Sequence, residues 1–311
     1  MSFLKKSVLA LMIGSPITSL YAAEVPVTIN VPEKYKAESD QKSPKAKDDA
    51  IILEKANTIV LNDQVSEETV SLIIQEATEK SAKLPEGEPL YLFISSPGGE
   101  IVAGNHMISA LQALGREVKT ITSFSASMAF MTVQGLGERL ITRDGVLMSH
   151  RPKGGFKGQF PGELETQLAF WKRYTGMLME MAAKRIGISA EELQKKHYDE
   201  WWTAGQDSVN QRAADKVVNV RCGRTLIGKE DKDVSFFIWK FRVTFSTCPL
   251  VQAPLKIEQI KNDTDTKAKK DTKVKNISEE EANDYIQARF YDKTRFLYEY
   301  IMTGKYEDFL N

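Results

Sequence analysis

Between residues 58 and 148 short apolar runs alternate with helical patterns, and this alternation restricts the fold more than any other feature of the chain. Residues 58–61 (TIVL) and 90–94 (LYLFI) are uninterrupted apolar runs of strand length, as expected for strands covered on both faces. Ser66 then caps a helix with Val70, Ile73, Ile74 and Ala77 on one face. The LYLFI strand runs into the turn Ser95-Ser96-Pro97-Gly98-Gly99, and a helix through Met107, Ile108 and Leu111 follows. Residues 118–121 read as another strand, 123–127 as a turn, and Met128 opens a further helix; 139–142 and 145–148 are two more short strands. Parallel strands need a crossover connection, usually helical, so the order predicts an α/β fold with a largely parallel sheet.

Charge and cysteine usage narrow the function. Forty-two Lys and Arg balance 42 Asp and Glu among 311 residues, which leaves no global attraction to nucleic acid or an anionic membrane. Two cysteines, Cys222 and Cys248, exclude a disulfide scaffold and any four-cysteine metal site, and no cofactor is expected. Imidazole chemistry must use His106, His150 or His197.

The ends read differently from the middle. Residues 1–23 resemble an export signal: Lys5 and Lys6 are basic, residues 7–13 (SVLALMI) are apolar, and Ala22-Ala23 offer a cleavage site. The apolar run is shorter than the ~18 residues of a membrane span, so a soluble periplasmic or secreted protein is expected, or a cytoplasmic one if the signal does not function. Residues 24–50 form a polar extension, 222–260 a strand-rich extension and 261–277 a charged linker. An amphipathic helix is expected over 278–311, with Ser278 and Glu281 as a capping box and Ile286, Phe290, Leu297 and Ile301 as its apolar face. In an exported chain, Cys222 and Cys248 are expected to pair, two buried thiols being the other possibility.

Chemistry in such folds collects where strands end and helices begin, because amide N–H groups there are unpaired. Pro97-Gly98-Gly99 lets the backbone approach a ligand closely. Ser127 stands at the start of a helix beside the Met128 amide, a position that suits either a helix cap or a nucleophile. His150 projects from a strand end, whereas His106 and His197 lie in helical stretches where an exposed structural role is the default. An imidazole base predicts reactivity that rises through a pKa near neutrality.

Ser96-Pro97-Gly98-Gly99, Ala126-Ser127-Met128, Met148-Ser149-His150-Arg151-Pro152 and Gly154-Gly155-Phe156-Lys157-Gly158-Gln159 resemble, in that order, motifs of the Clp protease proteolytic subunit family. The similarity extends from about Asn57 to Arg221 and includes Leu61-Asn62-Asp63-Gln64-Val65. The resemblance implies a crotonase-like fold of repeated β-β-α units wound into a superhelix, with a protruding handle helix at 164–186 and a catalytic domain over 51–221. It implies a serine endopeptidase with Ser127 as nucleophile, His150 as base and Asp199 as orienting acid, Asp207 and Glu200 being the nearby competitors. The amides of Gly98 and Met128 would form the oxyanion hole. Implied partners are peptides or unfolded proteins, copies of the same chain in heptameric rings, and an ATP-driven unfoldase of the AAA+ class only if the protein is cytoplasmic. The handle would pair subunits, with Met177, Met179 and Met181 as adaptable contacts.

The chain departs from the family at Ser123 and Ala129, which replace glycines around the serine, at Arg151, where a neutral amide is usual, and at Arg212, in a glycine-like position before Asp215. Two other functions compete: a peptidase resembling signal peptide peptidase A, with a Ser/Lys dyad, and a catalytically idle assembly or adaptor protein. The C-terminal helix is expected to regulate access, occupying grooves that in this family receive the unfoldase's loops.

Overall fold

The computed structural model describes residues 50–236, 239–252 and 254–260. The signal at 1–23, most of the polar segment at 24–50, the linker at 261–277 and the amphipathic helix at 278–311 lie outside the described residues.

Four parallel strands form the centre: β2 (Thr58–Leu61), β3 (Leu90–Ser96), β4 (Val118–Ala126) and β5 (Arg139–Ser149), in that spatial order. The first half of β5 pairs in parallel with β7 (Lys216–Val218), and its second half pairs antiparallel with β6 (Trp201–Ala204). The crossovers are α1 (Glu67–Ser81), α2 (Ile101–Gln112) and α3 (Met128–Gly135). Ser66 caps α1 as expected, accepting from the Thr69 amide while its own amide bonds the Thr69 hydroxyl.

Strand periodicity divides the core. Leu92 and Ile94 of β3 face one side, where they pack with Val70, Ile73, Met107, Leu111 and Phe130 from the helices. Phe93, between them in sequence, faces the other side with Ile121, Leu140 and Val218. That second face is closed by β1 (Ile51–Leu53) and β8 (Val220–Cys222), which pair in parallel, and by Leu226 of the 3₁₀ turn Arg224–Leu226. A sheet buried on both faces explains why its strands are apolar without alternation.

Two expectations for this region are corrected. Residues 123–126 belong to β4 and not to a turn, and 139–149 is one strand instead of two. Both ladders of β4 slip at the same point: β3 shifts between Ile94 and Ser95, β5 is re-registered between Thr122 and Phe124, and Ser123 is left as a bulge residue.

The protruding helix is α4 (Glu163–Ile186). Its C-terminal half buries Leu178, Ala182, Ala183 and Ile186, while Leu168 and Phe170 of the N-terminal half, and Met177 just past the middle, are exposed. Of the three methionines, Met179 and Met181 pack against the core. Two shorter helices follow, α5 (Ala190–Tyr198) and α6 (Gly205–Asn210). Arg212 adopts φ 61°, the left-handed conformation expected of its glycine-like position. Beyond β8, three antiparallel strands, β9 (Lys229–Phe236), β10 (Trp239–Ser246) and β11 (Lys256–Ile260), form a separate sheet in the order β9-β10-β11. Arg242 and Asp233 pair on its exposed face, and Phe241 and Val243 are buried. Cys222 and Cys248 form the expected disulfide, joining the end of β8 to the loop after β10.

Candidate active site

β4 ends at Ala126 and α3 begins at Met128, so Ser127 alone turns the chain from strand to helix. It does so at φ 54° and ψ −119°, a left-handed conformation that costs a non-glycine residue about 1–3 kcal/mol and persists only where its surroundings enforce it. Here the Met148 carbonyl accepts from the Ser127 amide at 2.9 Å, and the Ser127 carbonyl accepts from Met131 at 3.2 Å. Although Ser127 occupies the cap position of α3, its side chain makes no capping hydrogen bond. Its Oγ lies 2.8 Å from His150 Nε2. The hydroxyl is therefore turned away from the helix end and toward a base.

His150 follows the last residue of β5, where Ala126 faces Met148 across the ladder. That pairing brings serine and histidine together despite their distance in sequence. Burial, reinforced by the charge of Lys153, lowers the imidazole from 6.5 to about 4. The ring is neutral at pH 7 and able to accept the Ser127 proton. The near-neutral pKa expected from sequence is corrected downward because the strand end is enclosed.

Gly98 nests against this elbow. It has φ +92°, and a Cβ there would lie 2.5 Å from the Ala126 carbonyl oxygen and 2.7 Å from both Met128 N and Ser127 Cβ. Only glycine fits both the conformation and the space. Val65 clamps the turn, donating to the Gly98 carbonyl and accepting from Glu100, each at 2.8 Å. The Gly98 amide donates to Ser96 Oγ at 3.1 Å, and that hydroxyl donates to the Asp63 carbonyl at 2.6 Å. An oxyanion held by Gly98 would take the place of Ser96 Oγ. Sequence reading missed this role of Ser96, whose signal was only a hydroxyl shortly before the glycines.

Asp199 follows the last residue of α5, and Glu200 at φ 62° turns the chain into β6. Trp201 pairs with Ser149, so the β5–β6 ladder closes one residue before His150 on one strand and two residues after Asp199 on the other. The Arg151 guanidinium lies 4.2 Å above the Tyr198 ring, joining the same two segments. The competing carboxylates are engaged elsewhere: Glu200 accepts from Trp202 Nε1 at 3.3 Å, and Asp207 from Gln211 at 2.8 Å.

His106 is exposed on α2, but His197 departs from the exposed role expected of it. It is 1% exposed, packed edge-on against Phe130 of α3, and neither ring nitrogen has a hydrogen-bond partner among the described residues. Burial first and the nearby His150 second lower it from 6.5 to about 4. Helical periodicity placed it correctly on α5, but the polar neighbours Lys195, Lys196 and Tyr198 concealed that its face turns inward. Among the described residues no cluster of His, Cys, Asp or Glu is placed to hold a metal ion.

In comparison with known families, residues 41–221 match the family model described as Clp protease, more than half of the chain. The match ends at the same residue as the motif similarity and begins earlier than Asn57. The mixed α/β architecture is consistent with the fold of that family.

Proposed function

Because the chain belongs to the Clp protease family, we propose that it is a serine endopeptidase of the proteolytic-subunit type, acting on short or unfolded polypeptides. The observation that carries this reading is Ser127 at φ 54° with its Oγ 2.8 Å from Nε2 of a neutral, largely buried imidazole. In the reaction, Ser127 Oγ attacks the scissile carbonyl carbon as its proton passes to His150 Nε2. The negative charge that forms on the carbonyl oxygen is met by the Met128 amide at the start of α3 and by the Gly98 amide. His150 returns the proton to the leaving amine, the carbon–nitrogen bond breaks, and an acyl-Ser127 ester remains. Water, deprotonated by the same imidazole, then releases the acid. In this reading Asp199 is the orienting acid, and its role is to stabilise the imidazolium that forms in each half-reaction.

The exposed aromatic end of α4 supports assembly into rings of this chain, with the chemistry enclosed inside. The Cys222–Cys248 disulfide supports an exported protein, since such bonds persist in oxidising compartments. In that setting the enzyme works without an ATP-driven unfoldase, on chains that are already short or unfolded.

Labelling with a serine-reactive fluorophosphonate tests the reading. Ser127→Ala and His150→Ala are each expected to lower labelling and peptide turnover by several orders of magnitude while leaving the assembly intact. Retained turnover by Ser127→Ala would exclude a serine peptidase. Labelling that rises only above about pH 9 would favour the Ser/Lys dyad.

A further inference from the structure

The segment 247–252, which follows β10, lies outside the matched family region and yet reaches the strands that carry the candidate site. It is fastened at its base. Cys248 is bonded to Cys222, the Thr247 amide donates to the Gly228 carbonyl at 3.1 Å, and the Thr247 hydroxyl donates to the Leu226 carbonyl at 2.9 Å. A turn closed by Val251 N on the Cys248 carbonyl at 3.0 Å then delivers Gln252 to the sheet. Its Oε1 accepts from Ser95 Oγ at 3.0 Å and its Nε2 donates to Ser123 Oγ at 3.4 Å.

These two serines mark the places where the ladders slip. Ser95 follows the shift between β3 and β4, and Ser123 is the bulge residue of β4. Downstream of Ser95 on its strand is the Gly98 turn; downstream of Ser123 is Ser127. A bulge loses ladder hydrogen bonds and re-aims the residues after it, so its geometry depends on whatever else holds it. One carboxamide, with a donor and an acceptor on a short stem, spans both strands at that point.

We propose that Gln252, held in place by the Cys222–Cys248 disulfide, is a positioning residue for the catalytic centre: it fixes the β3–β4 slip and thereby the distance between the Gly98 turn and Ser127. The inference rests on the peptidase reading for its effect on rate, but not for its effect on structure. Gln252 does not touch the nucleophile, and it acts through Ser95 and Ser123.

The test uses the full-length assembled protein. In Gln252→Ala, amide hydrogen exchange is expected to rise about tenfold in peptides covering 95–99 and 123–128, with the remaining sheet unchanged. For a short fluorogenic peptide, kcat is expected to fall about tenfold with KM within about twofold, and Gln252→Glu, which can accept from both serine hydroxyls, is expected to restore most of kcat. Cys222→Ser should reproduce the loss alone and add little to Gln252→Ala, as two changes to one device do. Unchanged exchange in both segments, an unchanged kcat, or fully additive losses would each overturn the proposal. If the wild-type protein neither labels nor turns peptides over, the peptidase reading fails, and the exchange pattern alone decides whether Gln252 positions the two strands.

Discussion

At neutral pH the imidazole of His150 carries no proton to shed before it acts as a base. With its pKa lowered to about 4 by burial and Lys153, labelling of Ser127 is expected to stay nearly flat from pH 7 to about 5 and to fall through a midpoint near 4. A stopped pH series of labelling rates checks this, and a midpoint near 6.5 would mean that the strand end is open to water. His197 responds to the same range through stability. Its pKa is 6.5 in the unfolded chain and about 4 in the fold, so between these values the unfolded chain binds the proton more readily. Its neutral form therefore supports the fold fully above pH 6.5, and on the order of 3 kcal/mol is lost as pH falls toward 4. Because His150 is lowered over the same range, His197→Leu should reduce the slope of that limb of a denaturation series by about half, and an unchanged slope would show that His197 does not titrate with unfolding. At this scale the sequence was informative where residue types were scarce. With three histidines, pairing His150 with Ser127 needed little more than two strand ends. Ser96 and the buried face of His197 were hidden because their roles depend on neighbours brought in from other elements.

Elements show the same division between local and distant causes. Helices with one apolar face were legible: α1 and α2 bury Val70, Ile73, Met107 and Leu111 as their spacing requires. The end of β4 was not, because its hydroxyl residues read as a turn by composition. In the sheet those hydroxyls find partners, as Ser125 does in bonding Thr122 at 3.3 Å, so polarity there is compatible with full burial. α4 carries the prediction for this scale. Leu168 and Phe170 are exposed, and Phe170 stacks on Tyr174 with ring centroids 5.6 Å apart, while the helix is anchored by Leu178, Ala182 and Ile186 at its other end. Phe170→Asp combined with Leu168→Asp should leave circular dichroism unchanged but reduce the proposed assembly to smaller species by native mass spectrometry. An intact assembly would move the subunit contact elsewhere.

For the whole molecule, the disulfide ties the family-matched unit to the added sheet covalently, in addition to the backbone that joins them. Its cysteines are 26 residues apart, and removing it with Cys222→Ser and Cys248→Ser should lower stability by about 3 kcal/mol. A denaturant series would show this as an earlier midpoint, and no shift would mean that the extension folds independently of its tether. The pairing was foreseeable from two cysteines and the expectation of export, but the reach of Gln252 back to β3 and β4 was not, because a single glutamine among the apolar and proline residues that follow β10 announces no distant partner. A further property arises from β1 and β8. Their parallel pairing aligns Ile51 with Val220 and Leu53 with Cys222, so the α/β unit between them begins and ends on one short ribbon. The order in which its elements are strung is thus separable from how they pack. A linker of a few residues, spanning roughly 10 Å, would join the end of β8 to the start of β1, and the exposed segment 153–155 offers a place to open new ends without breaking a single strand pairing. Such a circular permutant would carry His150 near its last residue and Ser127 well inside, making the chain terminus a handle on the base alone.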